Sequence, residues 1–113
     1  MRIDIQARHI KVTQSLLRVV RRHLAFAFNR FQDRIQSVQV RLSDINGPKG
    51  GVDKECRIQV TIPKGREIIV KGQSKRLDLA ISTTATRSAR ALAKQLGKKR
   101  AKRHNKVAPI VEF

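Results

Sequence analysis

Apolar positions recur along the 113-residue chain with two periods. Ile3 and Ile5 alternate with Arg2, Asp4 and Gln6, a period of two that predicts a short half-buried strand. After a connector from Arg8 to Val12, Leu16, Val19, Val20, Leu24, Ala27 and Phe31 fall on one face of a helix of about five turns. Thr13 stands where an N-cap is needed. Arg18, Arg21 and Arg22 lie on the other side of this helix, and Arg30 and Arg34 at or beyond its C-terminus, where the dipole favours cations.

The period of two returns at Val38, Val40 and Leu42, with Gln39 and Arg41 outward. Asp44 to Val52 holds Asn46-Gly47-Pro48 and Gly50-Gly51 and predicts a flexible loop. Cys56, Ile58, Val60 and Ile62 then alternate with Glu55, Arg57, Gln59 and Thr61 in the clearest strand pattern of the chain. Pro63-Lys64-Gly65 suits a turn, and Ile68 and Val70 form a return strand ending at Gly72. Ser74 can cap a last helix, in which Leu77, Ile81, Ala85, Ser88, Leu92 and Leu96 share one face and Gly97 is a C-terminal stop. Arg87, Arg90, Lys94 and Lys98 recur opposite that face as a cationic ridge, and Lys99, Arg100, Lys102, Arg103 and Lys106 extend it.

One apolar face per strand and one apolar stripe per helix imply a two-layer α+β domain of order β-α-β-β-β-α. Its four-stranded mixed sheet carries both helices on one face, and the first two strands are parallel through a right-handed crossover. Residues 1–99 are expected to form this domain and residues 100–113 a basic tail, flexible when unbound and ordered on RNA. Two helices in one layer should bring both arginine ridges to one surface.

Charge turns this scaffold toward a partner. The chain has 26 Lys and Arg against 8 Asp and Glu, a formal net charge of +18. Self-repulsion on that scale costs stability, and nucleic acid is its usual compensation. No apolar run reaches the roughly 20 residues of a membrane span, and Met1-Arg2-Ile3-Asp4 lacks the apolar core of a signal peptide. The single cysteine excludes an internal disulfide and fits a reducing compartment, so a cytoplasmic protein is expected.

Catalytic chemistry finds little support. The acids are scattered, and Asp53 and Glu55 read as salt-bridge partners of Lys54, Arg57 or other bases rather than as an acid/base couple. His9, His23 and His104 lack ligands at metal spacing. Cys56 reads as a small buried hydrophobe, and Gly50-Gly51 as loop punctuation without a Walker context. Lys71-Gly72-Gln73 resembles the Gly-Gly-Gln of peptidyl-tRNA hydrolysing release factors but lacks the first glycine, and we read it as coincidence. Phe26, Phe28 and Phe31 are assigned to the core under the first helix rather than to base stacking. With no Tyr or Trp, phosphate contact and shape recognition are the expected mechanism. No enzymatic activity, cofactor, metal or small-molecule substrate is expected.

The residues also carry a family resemblance. Met1-x-Ile3-x-Ile5, Arg8-His9-Ile10, Val12-Thr13 and Leu16 resemble the opening of the ribosome hibernation-promoting factor family, which includes ribosome-associated inhibitors. Val52-Asp53-Lys54, the strand after it and Ala80-Ile81 fit the same pattern, so the resemblance covers about residues 1–99. It implies a fold similar to double-stranded RNA-binding domains. It also implies binding to 16S-type rRNA in the mRNA and tRNA cleft of the small ribosomal subunit, with no enzymatic activity. Aligned on Ala80-Ile81, Arg87, Arg90 and Lys94 fall on basic positions of the family's second helix. Leu17, His23 and Phe26 stand where the family commonly has Arg or Lys, Asp78 where it has Tyr and Ser82 where it has Asp. The chain stops before the second domain of long-form members, so a monomer when free, without self-driven ribosome pairing, is expected.

The RNA-binding set is thus Arg18, Arg21, Arg22, Arg87, Arg90, Lys94, Lys98, Lys99 and Arg100. The leading expectation is a translation inhibitor that keeps ribosomes idle. The alternatives are a general RNA-binding or chaperone-like module and, suggested only by Lys71-Gly72-Gln73 and the tail, an enzyme on ribosome-bound substrates.

Overall fold

A computed structural model describes residues 2–45, 53–63 and 66–107, with residues 98–107 described by backbone alone. The elements are β1 (Arg2–Arg8), α1 (Gln14–Phe28), a 3-10 segment (Asn29–Arg34), β2 (Ser37–Asp44), β3 (Lys54–Ile62), β4 (Arg66–Ser74) and α2 (Leu77–Val107). The sheet has the order β1-β2-β3-β4, with β1 parallel to β2 and the other two pairs antiparallel. This is the expected α+β architecture.

Register carries the strand periodicity into the core. Ile3, Val38, Val60 and Ile68 form one cross-strand row, Ile5, Val40, Ile58 and Val70 the next, and Ala7, Leu42, Cys56 and Gly72 the third. The members on β2 and β3 are buried, and those on the edge strands β1 and β4 are mostly half-buried. Onto this face α1 packs Val20, Leu24 and Phe28, and α2 packs Ala80, Ile81, Thr84, Ala85, Ser88 and Leu92. Each large side chain buried this way contributes about 1.5–3 kcal/mol. Small residues on α2 let the helix lie close to the sheet. A Cβ built on Gly72 would collide with Thr84 Oγ1, so only glycine fits beneath Thr84.

The helix ends differ from the sequence expectation in three places. Thr13 caps α1 as expected, its Oγ1 accepting from Leu16 N at 3.1 Å. The α-helix nevertheless stops at Phe28 rather than Phe31. Val20, Leu24 and Phe28, at i, i+4 and i+8, align with the core, and tightening into a 3-10 turn half-buries Phe31 and brings Ile35 into the core. Ser74 does not cap α2: its Oγ accepts from Arg76 N at 3.2 Å and closes the turn out of β4. Asp78 Oδ1 instead accepts from Leu79 N in the first turn of α2. Gly97 does not stop α2, whose backbone continues to Val107. Glycine lowers helix stability without forbidding it, and the strong helix formers Lys, Arg and Ala follow.

Ile45 N donates to Asp53 O at 2.8 Å across the base of the β2–β3 connection. The rest of that expected loop, Asn46 to Val52, and Lys64-Gly65 of the expected turn lie outside the described residues.

Candidate nucleic-acid interface

The helix layer places the expected cations on its outer surface, with one exception. Arg18, Arg21 and Arg22 of α1 are exposed on the side away from Val20, Leu24 and Phe28. Arg90 and Lys94 are exposed on α2, away from Ala85 and Leu92. Arg87 is exposed too, but its Nη1 donates to the Lys71 carbonyl of β4 at 2.8 Å. That bond turns it toward the β4 edge, so the α2 ridge does not share one surface with α1 throughout. The backbone of α2 carries on through Lys98, Lys99 and Arg100, whose side chains lie outside the described residues.

Among the described residues, none of Arg18, Arg21, Arg22, Arg87, Arg90 and Lys94 is in an ion pair. Among the described residues the ion pairs are Lys54 with Asp53 at 3.0 Å, Lys54 with Asp44 at 3.1 Å and Arg76 with Asp78 at 2.8 Å. Arg18 and Arg22, and Arg90 and Lys94, are like charges one turn apart, each pair costing about 0.2–0.5 kcal/mol in an isolated helix. Folding gains nothing from this arrangement, whereas a polyanion laid along the helices would.

Phe26 corrects the assignment of the aromatic cluster to the core. It is 88% exposed, while Phe28 is fully buried and Phe31 half-buried with the Arg30 guanidinium 5.1 Å from its ring centroid. Phe26 is two residues from both Leu24 and Phe28 and so lies on the side of α1 away from the buried stripe, while Phe28, Phe31 and Ile35 take the core's last places. The ring stands one turn beyond Arg22, within the cationic surface. Leu17 and His23 are half-buried.

The remaining chemical groups are accounted for by structure. Asp53 is buried and bonded to Lys54 Nζ, as expected for a salt-bridge partner. The hydrogen bonds of Asp53 first and Asp44 second raise the Lys54 pKa. Glu55 accepts from Gln73 Nε2 at 3.1 Å rather than pairing with a base. Burial pushes the Cys56 thiol up to about 12, and the Glu55 carboxylate adds to this. The Thr84 hydroxyl beside it pulls the other way, although Oγ1 reaches no partner at hydrogen-bond geometry. A thiol so buried and so weakly acidic is no nucleophile. Gly72 has a packing reason and Gln73 a surface partner, which accounts for Lys71-Gly72-Gln73 without chemistry. Among the described residues, no group of three or more His, Cys, Asp and Glu could hold a metal ion. No helix among the described residues is long and apolar enough to cross a membrane.

Two features carried weaker signals in the sequence. His9 takes φ 62°, a left-handed turn out of β1 that no glycine announced. The open sheet face holds Arg41, Arg57 and Lys71 in adjacent positions. Alternation placed the two arginines outward, but only register brings the three together.

The structure is a two-layer α+β domain whose helix layer carries exposed cations without ion-pair partners among the described residues. The chain belongs to the family described as sigma 54 modulation protein / S30EA ribosomal protein, which matches residues 3–100. Its members are ribosome-associated factors. The fold is similar to the Protein Y N-terminal domain of Thermus thermophilus, with a TM-score of 0.70 and 26% identity over 84% of this chain and 99% of that one. It is also similar to a ribosomal subunit interface protein from Coxiella burnetii, with a TM-score of 0.63 and 17% identity over 89% of this chain and 99% of that one. No curated protein matches the chain in sequence.

Proposed function

We propose that this protein binds the small ribosomal subunit in the mRNA and tRNA cleft and keeps ribosomes idle by steric exclusion. Arg18, Arg21 and Arg22 of α1 and Arg90 and Lys94 of α2 contact rRNA phosphates, while Lys98, Lys99, Arg100 and the residues beyond extend the contact. The protein contributes shape and charge, catalyses nothing itself, and works in the cytoplasm where ribosomes are. The observation that carries the reading is the set of exposed helix cations with no ion-pair partner among the described residues. Membership of a ribosome-associated family supports a ribosomal partner.

The double variant Arg90→Ala/Lys94→Ala tests it. Both residues are exposed and make no side-chain hydrogen bond among the described residues, so the melting temperature should hold while affinity for small subunits drops at least tenfold through the lost phosphate contacts. Excess double-stranded RNA should compete poorly. Unchanged subunit affinity of the folded variant would remove the helix ridge from the mechanism. Full competition by bulk duplex would instead favour a general RNA-binding module.

A further inference from the structure

The open face of the sheet carries a like-charge row that the helix-layer reading does not use. Register sets Gln6, Arg41, Arg57 and Lys71 directly opposite one another across all four strands. Neighbouring strands lie about 4.8 Å apart, so three cations stand within about 10 Å. Like charges directly opposite each other destabilise a sheet.

The acids of this face do not relieve the row. Asp4 and Glu67 lie in other rows, and Glu55, one row away, is taken by Gln73. Among the described residues, Arg41, Arg57 and Lys71 are in no ion pair, and Arg57 Nε is buried with no hydrogen-bond partner. Lysine on the edge strand β4 has an ordinary explanation in edge protection. Arginines facing each other on the inner strands β2 and β3 do not. The row also continues past the edge: the Lys71 carbonyl that ends it accepts from Arg87 of α2, and Arg90 and Lys94 follow.

We propose that Arg41, Arg57, Lys71 and Arg87 form a second phosphate-binding track, along which an RNA backbone passes from the helix layer around the β4 edge onto the open sheet face. This rests on the reading that the polyanion is RNA and adds a second face to it. The face suits a backbone rather than bases or a protein. Its row has no aromatic ring for stacking, and Ile69 is its one exposed large hydrophobic residue among those described, too little for the apolar centre of a protein interface.

The full chain is compared with Arg41→Gln/Lys71→Gln, with Arg41→Gln/Arg57→Gln/Lys71→Gln and with Arg90→Ala/Lys94→Ala, for binding of oligouridylate and of small subunits across a salt series. The double sheet variant changes only exposed side chains, which keeps the test valid if the triple variant folds poorly. Relief of repulsion should leave the melting temperatures unchanged or higher. The sheet variants should lose roughly tenfold or more in affinity, and the log–log salt slope should shrink by about 0.7–0.9 per lost phosphate contact. Wild-type affinity and slope in a folded sheet variant would overturn the proposal. If the helix variant alone is weakened, only the second track fails; if neither variant differs from wild type, the RNA reading of both faces fails. Lost binding of poly-glutamate with unchanged RNA binding would assign the row to an acidic protein and likewise overturn it.

Discussion

At the scale of single residues, the contact between Gly72 and Thr84 fixes how closely α2 approaches the sheet. Gly72→Ala puts a methyl group against Thr84 Oγ1, and overpacking of this kind costs about 1–3 kcal/mol. Thermal melts should show that loss, and Thr84→Ala in the same chain should return part of it because the colliding atom is gone. Additive losses in the double variant would contradict the contact. Cys56, beside Thr84, makes the fold sensitive to alkali. Its thiol is held neutral up to about 12 against an ordinary 9.0, so the unfolded chain ionises first. The stability this provides is complete below pH 9 and is lost as pH rises toward 12. Lys54 acts in the same direction, because Asp53 and Asp44 favour its ammonium form and that support fades above the ordinary 10.5. The melting temperature of Cys56→Ala should therefore fall less between pH 9 and 11 than that of the wild type. Parallel curves would show that the thiol is not held as described.

Among the elements, α2 combines two tasks that pull against each other. Its first five turns bury Ala80 to Leu92 against β3, β4 and α1, while the turns beyond Gly97 lengthen a cationic helix. A Cβ on Gly97 would meet no atom within 4 Å, so Gly97→Ala should stabilise the helix by about 1 kcal/mol. Circular dichroism should show greater helicity, and an unchanged signal would mean that the helix does not run through this position in solution. Such features also show what was legible from the sequence. The strands were, because Cys56, Ile58, Val60 and Ile62 report burial at a strict period of two that few alternatives share. Apart from the Thr13 cap, helix ends were not: Gly97 and Ser74 carry the residue types of a stop and a cap, but local partners decide whether those types are used. Phe26 lies inside α1, two residues from both Leu24 and Phe28, so helix geometry turns it outward although its residue type suggests core. The Arg41–Arg57–Lys71 row was invisible because each residue alone is an ordinary solvated position, and pairing across strands far apart in sequence makes it a row.

On the scale of the whole molecule, structure and charge divide the work. The apolar rows and helix stripes face one another and build a scaffold, and that scaffold holds cations in fixed places without neutralising them. A net charge of +18 alone would bind many polyanions weakly, and in the proposed function its fixed placement supplies the selectivity. The account therefore stands or falls on where on the ribosome the protein sits. The direct measurement is co-sedimentation with separated small subunits, large subunits and intact ribosomes at low and moderate salt, with and without an mRNA–tRNA competitor. The account predicts saturable binding to the small subunit that the competitor displaces, and an affinity falling by about 10³ to 10⁵ between 50 and 200 mM salt if six to ten phosphates are engaged. Equal binding to every RNA-containing fraction, untouched by the competitor, would contradict it and leave charge alone as the basis of binding.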